Sequence, residues 1–169
     1  LLINAIRDDD PVVFLEHKML YDETGEVPDK SYTVPFGEAR VVREGGDATI
    51  VALGRMVQRA EAAAKVLAGE GIQASIIDPR TTAPLDADTI VEFAEETGRV
   101  VVADESSPRC GFAADVAALI AEEAFGALKA PILKVTPPHT PVPYAPVLEE
   151  AYLPSAERIA DAVRRVVRA

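Results

Sequence analysis

Three consecutive carboxylates, Asp8, Asp9 and Asp10, stand just before Pro11 and are the first residues along the chain whose spacing could do chemistry. A turn that converges carboxylates and backbone carbonyls presents the oxygen donors a hard cation selects, and the same residues also make an ordinary solvated cap and turn. Both readings are open on the residues alone. A second group is Ser106, Ser107 and Cys110, for which His139 is the available base if both segments lie beyond strand ends. Neither a G-x-S-x-G elbow nor a partner spacing accompanies them, so no catalytic residue is assigned in this chain. Cys110 precedes Gly111 at a helix start, which fits either an activated thiol or merely a small residue. His17 closes an apolar run, where a structural hydrogen bond is the plainer role. A phosphate cradle needs several glycines between a strand and its helix. Leu53-Gly54-Arg55-Met56 offers one, and no P-loop lysine motif occurs, so no cofactor-binding residue is assigned either. Thr136 to Pro146 is the most unusual segment: Pro137, Pro138, Pro141, Pro143 and Pro146 fix an extended, rigid path with few free amide donors. It reads as a strap across the domain or as a preorganised surface for another subunit.

The elements that must position these residues follow from hydrophobic periodicity. Leu1 to Arg7 reads as the last turns of an apolar helix, and Val12 to Leu15 as a buried strand. Residue 1 is Leu rather than Met, so a fragment of a longer protein is expected. Residues 18–36 lose periodicity and suit a linker. Glu38 to Arg43 is an expected antiparallel edge strand, and the run Ala48 to Leu53 has the composition of a strand buried on both faces. Helical spacing then takes over through Met56, Ala60, Ala63, Ala64 and Leu67, ending at Gly69 and Gly71. The same unit recurs with strands at Ile72–Ile77, Val100–Val102 and Ile132–Val135, spaced by about 30 residues as parallel crossovers require. Asp86 is positioned to cap a helix ending at Gly98, a further helix spans Gly111 to Leu128, and Ser155 caps the last. The expected architecture is α/β, a three-layer sandwich around a mostly parallel sheet.

Composition narrows the function classes. A net charge of −11 repels nucleic acid and anionic membrane, and no apolar stretch approaches the roughly 20 residues of a bilayer span. The single cysteine can form no internal disulfide and, with two distant histidines, makes a poor zinc set. A cytoplasmic location is expected.

Ile77-Asp78-Pro79-Arg80-Thr81-Thr82-Ala83-Pro84-Leu85-Asp86 resembles the D-x-R-T-x-x-P-L-D signature of the beta subunit of thiamine-diphosphate-dependent 2-oxo-acid dehydrogenases. Pro11 to Tyr21 looks like the last strand of that subunit's pyrimidine-binding domain, Gly54 to Val57 like the first turn of its carboxy-terminal domain, and Thr140 to Tyr144 with Tyr152-Leu153-Pro154 like its closing segments. The resemblance covers the whole chain. It implies that residues 1–17 are the tail of the pyrimidine-binding domain, 18–36 a linker, and 37–169 a transketolase C-terminal-like domain. The half of the family's subunit that carries the glutamate activating the cofactor is then outside these residues, and this chain alone is expected to be inactive. Further implications are thiamine diphosphate and magnesium held by the complete assembly, and a potassium ion at Ala5 (carbonyl), Asp8 and Asp10. Asp10 stands where relatives often have Asn. The partners implied are an alpha subunit, a second beta subunit and a lipoyl-bearing acyltransferase core. The residues themselves place a subunit interface at Gly111 and Phe112, which open a helix that is small and apolar at its start, and at His139, Pro141, Pro143 and Tyr144 of the rigid proline segment. Asp104 to Cys110, Phe125 to Pro131 and the His139 segment look closest to the acetoin branch, which leaves acetoin, pyruvate and branched-chain 2-oxo acids as substrates. Two other classes remain: a free-standing flavodoxin-like module holding a small ligand at the strand carboxyl ends, and a purely structural oligomerisation domain.

Overall fold

The computed structural model describes all 169 residues. Five strands form one sheet in the order β1-β3-β2-β4-β5: β1 (Arg40–Gly46), β2 (Ala48–Ala52), β3 (Ala74–Asp78), β4 (Val100–Ala103) and β5 (Leu133–Val135). Strands β2 to β5 run parallel, and β1 pairs antiparallel with β3 along the edge, with irregularities between Val41 and Gly46. The expected edge strand is therefore present, and it extends through Gly45 and Gly46 instead of turning there.

The strand sequences alternate between the two faces, and each face finds a helical layer. Ile50, Ala52, Ile76, Val101 and Ala103 pack on α2 (Arg55–Gly69) and α6 (Ala156–Arg168) through Met56, Leu67, Ile159, Val163 and Val166. Val51, Ile77, Val100 and Val102 face the other way, onto Ile90 and Ala94 of α3 (Ala87–Thr97) and Val116 and Ile120 of α4 (Phe112–Glu123). Burial on both faces explains why these strands read as unbroken apolar runs. Within the second layer, buried Thr49 donates to the Phe93 carbonyl at 2.8 Å and contacts the Thr97 hydroxyl at 3.0 Å, which ties β2 to α3 without leaving its own oxygen unpaired. The predicted caps are in place: the Asp86 carboxylate accepts from the Thr89 amide, the Ser155 hydroxyl from the Arg158 amide, and Gly98 closes α3 in the left-handed region. At the far end of α2, Glu70 receives two hydrogen bonds from Arg164, which also reaches Glu157 and Asp161, joining α2 to α6.

Three expectations change. Val12 to Leu15 form no strand: the segment has no regular secondary structure, and Val13 and Leu15 are 86% and 89% exposed. A strand needs a neighbouring edge to satisfy its amides, and β1 and β5 hold the two edges of this sheet elsewhere. The helix expected to reach Leu128 stops at Glu123, where Ala124 leaves helical geometry and a single 3-10 turn, Phe125–Ala127, follows. A helix not foreseen, α5 (Pro146–Tyr152), follows the proline segment, with proline in its first turn, where a missing amide hydrogen is harmless. The remaining helix, α1, spans Leu2–Arg7 and has no buried residue. No helix of the chain is long and apolar enough to cross a membrane.

Candidate functional site

The chain leaves β2 toward β3 on one side and returns through β4 on the other, so β2 and β4 flank a topological switch point. At such a point the two loops diverge beyond the strand carboxyl ends and leave a crevice, the usual ligand site of open α/β sheets. Gly54 follows β2 at φ 58° and ψ −129°, a conformation that side chains disfavour, and opens α2. Asp104 and Glu105 follow β4.

His17 enters this crevice. Its Nε2 lies 2.9 Å from Oε2 of Glu105, and the Met19 amide donates to its Nδ1 at 3.3 Å. An acceptor at Nδ1 assigns the ring hydrogen to Nε2, so the imidazole donates to the carboxylate. The ring also sits against the turn at Gly54, where an added Cβ would lie 3.8 Å from His17 Cδ2. Both side chains are largely covered, at 30% and 25% exposure, and Oε1 of Glu105 is buried with no partner. The structural hydrogen bond expected of His17 is thus present, on a segment without regular secondary structure instead of at a strand end.

Beside it, Asp104 is buried and accepts from the Ser106 amide, the Ser106 hydroxyl and the Ala113 amide at the start of α4. The loop Ser106 to Cys110 folds tightly over that start. A Cβ on Gly111 would lie 2.3 Å from both Ser106 Oγ and the Ser107 carbonyl, so the glycine is required by this close approach. Cys110 is exposed and Ser106 is committed to Asp104. His139 is exposed and has no hydrogen bond to Ser106, Ser107 or Cys110. The arrangement offers no nucleophile with a base and an orienting group.

The signature Asp78 to Asp86 acts as a clamp on the start of the domain. Asp78 Oδ1 accepts from the Arg80 amide, and burial raises the pKa of its carboxyl against the pull of that bond and of Arg80 and Arg40. Thr81 Oγ1 donates to the Pro84 carbonyl and accepts from the Gly37 amide at 3.0 Å. Asp86 accepts from the Ala39 amide at 2.7 Å and from both the amide and the hydroxyl of Thr89. Burial of the Asp86 carboxyl acts to raise its pKa, but these donors outweigh it and hold the carboxyl below the usual range.

The other predicted residues are scattered. Gly111 and Phe112 open α4, with Phe112 packed on the second core layer. Across the proline segment His139 and Pro141 are exposed, Pro143 is half-buried, and Tyr144 is fully exposed. Val142, Val147 and Leu148 are 64%, 82% and 58% exposed, so the strap and α5 present an apolar surface. Two cations unmarked by sequence reasoning, Arg55 and Arg59, reach Glu150 of α5 at 3.9 and 2.5 Å and tie the strap back to α2. Glu105 and Glu150 were likewise missed, since their partners lie 88 and 91 residues away. At the amino end Ala5 is half-buried, Asp8 and Asp10 are exposed, and Asp8 Oδ1 accepts from the Asp10 amide at 3.0 Å, the solvated-turn geometry. No group of three or more His, Cys, Asp or Glu side chains is placed to hold a metal ion. The residues present do not fit a diphosphate cofactor with its metal.

The family described as transketolase, C-terminal domain, matches residues 37–159. Among curated proteins the chain is 58% identical, over 99% of its length, to the acetoin:2,6-dichlorophenolindophenol oxidoreductase subunit beta of Cupriavidus necator, of which it covers 50%. It is 49% identical over 94% of its length to the subunit of the same name in Bacillus subtilis, covering 46% of it. To the pyruvate dehydrogenase E1 component subunit beta of Bacillus subtilis it is 44% identical over 99% of its length, covering 51%. The chain thus spans about half the length of the curated relatives it matches. Among solved structures, a split-gene transketolase in an inactive beta4 tetramer superposes with TM-score 0.71 at 35% identity, over 85% of this chain and 46% of that one. A 2-oxoglutarate:ferredoxin oxidoreductase from Magnetococcus marinus shares the fold alone, with TM-score 0.52 at 17% identity over 77% of this chain and 19% of its own. With a matching fold, matching order of motifs and coverage of most of its length, the chain belongs to the transketolase C-terminal domain family.

Proposed function

We propose that these residues are the carboxy-terminal domain of the beta subunit of a thiamine-diphosphate-dependent dehydrogenase acting on acetoin or a 2-oxo acid, and that the domain serves assembly instead of chemistry. The observation that carries this reading is the 58% identity over nearly the whole chain to an acetoin oxidoreductase beta subunit, against 44% to a pyruvate dehydrogenase one. Acetoin is accordingly the favoured substrate, ahead of pyruvate and branched-chain 2-oxo acids. The exposed apolar strap and α5, with Val142, Val147 and Leu148 uncovered, support an assembly role.

In this reading residues 1–17 belong to the preceding pyrimidine-binding domain, 18–36 are the linker, and 37–169 form the transketolase-like domain. The exposed apolar run Val12 to Leu15 is then covered by that preceding domain. The Gly111–Phe112 helix start and the strap at His139, Pro141, Pro143 and Tyr144 face the second beta subunit or the alpha subunit. An open groove between α3 and α4, floored by Val91 and Leu119 and rimmed by Asp88, Glu92, Glu95 and Glu123, suits a basic contact on the lipoyl-bearing acyltransferase core. Thiamine diphosphate and magnesium are supplied with the complete assembly, a potassium ion is assigned to Ala5, Asp8 and Asp10, and a cytoplasmic location accompanies these assignments. The flavodoxin-like alternative fares worse, because His17 reaches between the Gly54 turn and Glu105, where its ligand would bind.

The test is coexpression of the full-length beta subunit with its alpha partner, following thiamine-diphosphate-dependent reduction of an artificial electron acceptor with acetoin, pyruvate and branched 2-oxo acids. Turnover of one substrate supports the reading and fixes the branch. An assembled heterotetramer that turns over none of them refutes it.

A further inference from the structure

We infer that His17 and Glu105 form a joint that fixes how the amino-terminal segment leaves the domain, with the switch-point crevice serving as the socket for the chain's own histidine. Between Asp8 and Thr33 every residue is exposed except His17 and Leu20, so the side chain that reaches the crevice is the main hold on an otherwise unsupported stretch. Its donor is matched to the one hydrogen bond the Glu105 carboxylate makes, across 88 residues. That side chain is three-quarters covered and its Oε1 is buried without a partner, so withdrawal of His17 would remove the carboxylate's one protein hydrogen bond. The Met19 amide completes the joint by donating to Nδ1 and directing the backbone into the turn Lys18–Leu20. The second hold comes only at Gly37 and Ala39, bonded to Thr81 and Asp86. The segment from 18 to 36 is therefore a loop pinned at both ends. Residues 1–16 take their direction from the first pin, which makes His17 and Glu105 positioning residues. This inference stands on the chain's own geometry and holds whichever substrate the complete enzyme uses.

The experiment is hydrogen exchange, read by mass spectrometry, together with tryptic cleavage after Lys18 and Lys30, on the complete polypeptide in its native assembly. Glu105→Ala is expected to accelerate exchange at Met19 and cleavage after Lys18 by about tenfold, the loss of one charge-assisted bond, with exchange in the sheet and cleavage after Lys30 unchanged. Glu105→Gln retains an acceptor for Nε2–H and is expected to stay within about threefold of the parent. His17→Ala should reproduce the alanine effect at position 105, and the double variant should add nothing to either single one. If Glu105→Ala leaves Lys18 and Met19 unmoved, or speeds exchange throughout the domain equally, the joint is refuted. Independent, additive effects of the two alanine variants refute it as well.

Discussion

Replacing Asp86 separates the several duties that a single carboxylate performs at the end of the family signature. Its two oxygens serve three donors: the Thr89 amide and hydroxyl in the first turn of α3, and the Ala39 amide at the entry to β1. Asp86→Ala removes a helix cap, worth about 1 kcal/mol, and leaves the partly buried Ala39 amide unpaired, worth another 1 to 2 kcal/mol or so. The expected loss at neutral pH is about 2 to 3 kcal/mol, read as a lower urea midpoint at unchanged slope. Asp86→Asn keeps a carbonyl oxygen able to cap α3 but presents an amide to Ala39 where an acceptor is needed, so about half of that loss should remain. Acid adds a check with a definite sign. The carboxyl titrates below its ordinary value of 3.8 in the fold, so its contribution is fully present above that pH and fades as pH falls through the folded value. The gap between parent and Asp86→Ala should therefore be constant from pH 7 down to about 5 and narrow below 3.8. A loss below about 0.5 kcal/mol for alanine, or an asparagine variant as stable as the parent, would refute the assignment of Ala39 to this carboxylate.

Two more substitutions test other parts of the fold. Gly111→Ala places a methyl group 2.3 Å from Ser106 Oγ and the Ser107 carbonyl and should lower stability by about 1 to 3 kcal/mol in the same assay; an unchanged midpoint would mean the loop over α4 yields freely. Leu67→Ala, at a fully buried position of α2, should cost about 2 to 5 kcal/mol, whereas Val13→Ser, on the irregular segment, should shift the stability of this chain by no more than about 0.5 kcal/mol. A large loss at Val13 would return that segment to the core of this domain.

What the sequence made legible was whatever local pattern alone decides. The runs Ala48 to Ala52 and Val100 to Ala103 are apolar on both faces because helices cover both faces, and Asp86, Gly98 and Ser155 mark helix ends through bonds to residues at most four positions away. Val12 to Leu15 failed for a related reason: hydrophobicity records that a segment is destined for burial, but not against which surface, and in this chain no sheet edge meets it. α5 escaped notice because the prolines before it dominate the pattern, although Pro146 at its first position is itself a helix-start signal. The crevice was least legible. His17 could be read as one half of a hydrogen bond, yet its partner is set by strand order, which brings the loop after β4 beside the turn after β2.

The same geometry supports the assembly role proposed for this ligand-binding fold. In an open α/β sheet the switch point is vacant by construction, since the two crossovers part there and no backbone fills the gap. A free-standing module would line it with groups for a ligand. In this chain the groups at the strand ends are committed to the polypeptide: Asp104 to the start of α4, Glu105 to His17, and Asp86 to Ala39 and α3. Three carboxylates at the carboxyl edge of the sheet thus hold the domain's own segments in place, two of them gripping the chain on either side of residues 18–36. A domain whose ligand edge fixes its own connection is suited to set the orientation of residues 1–16, while the strap at Val142 to Leu148 stays exposed, as the partner surface proposed above requires.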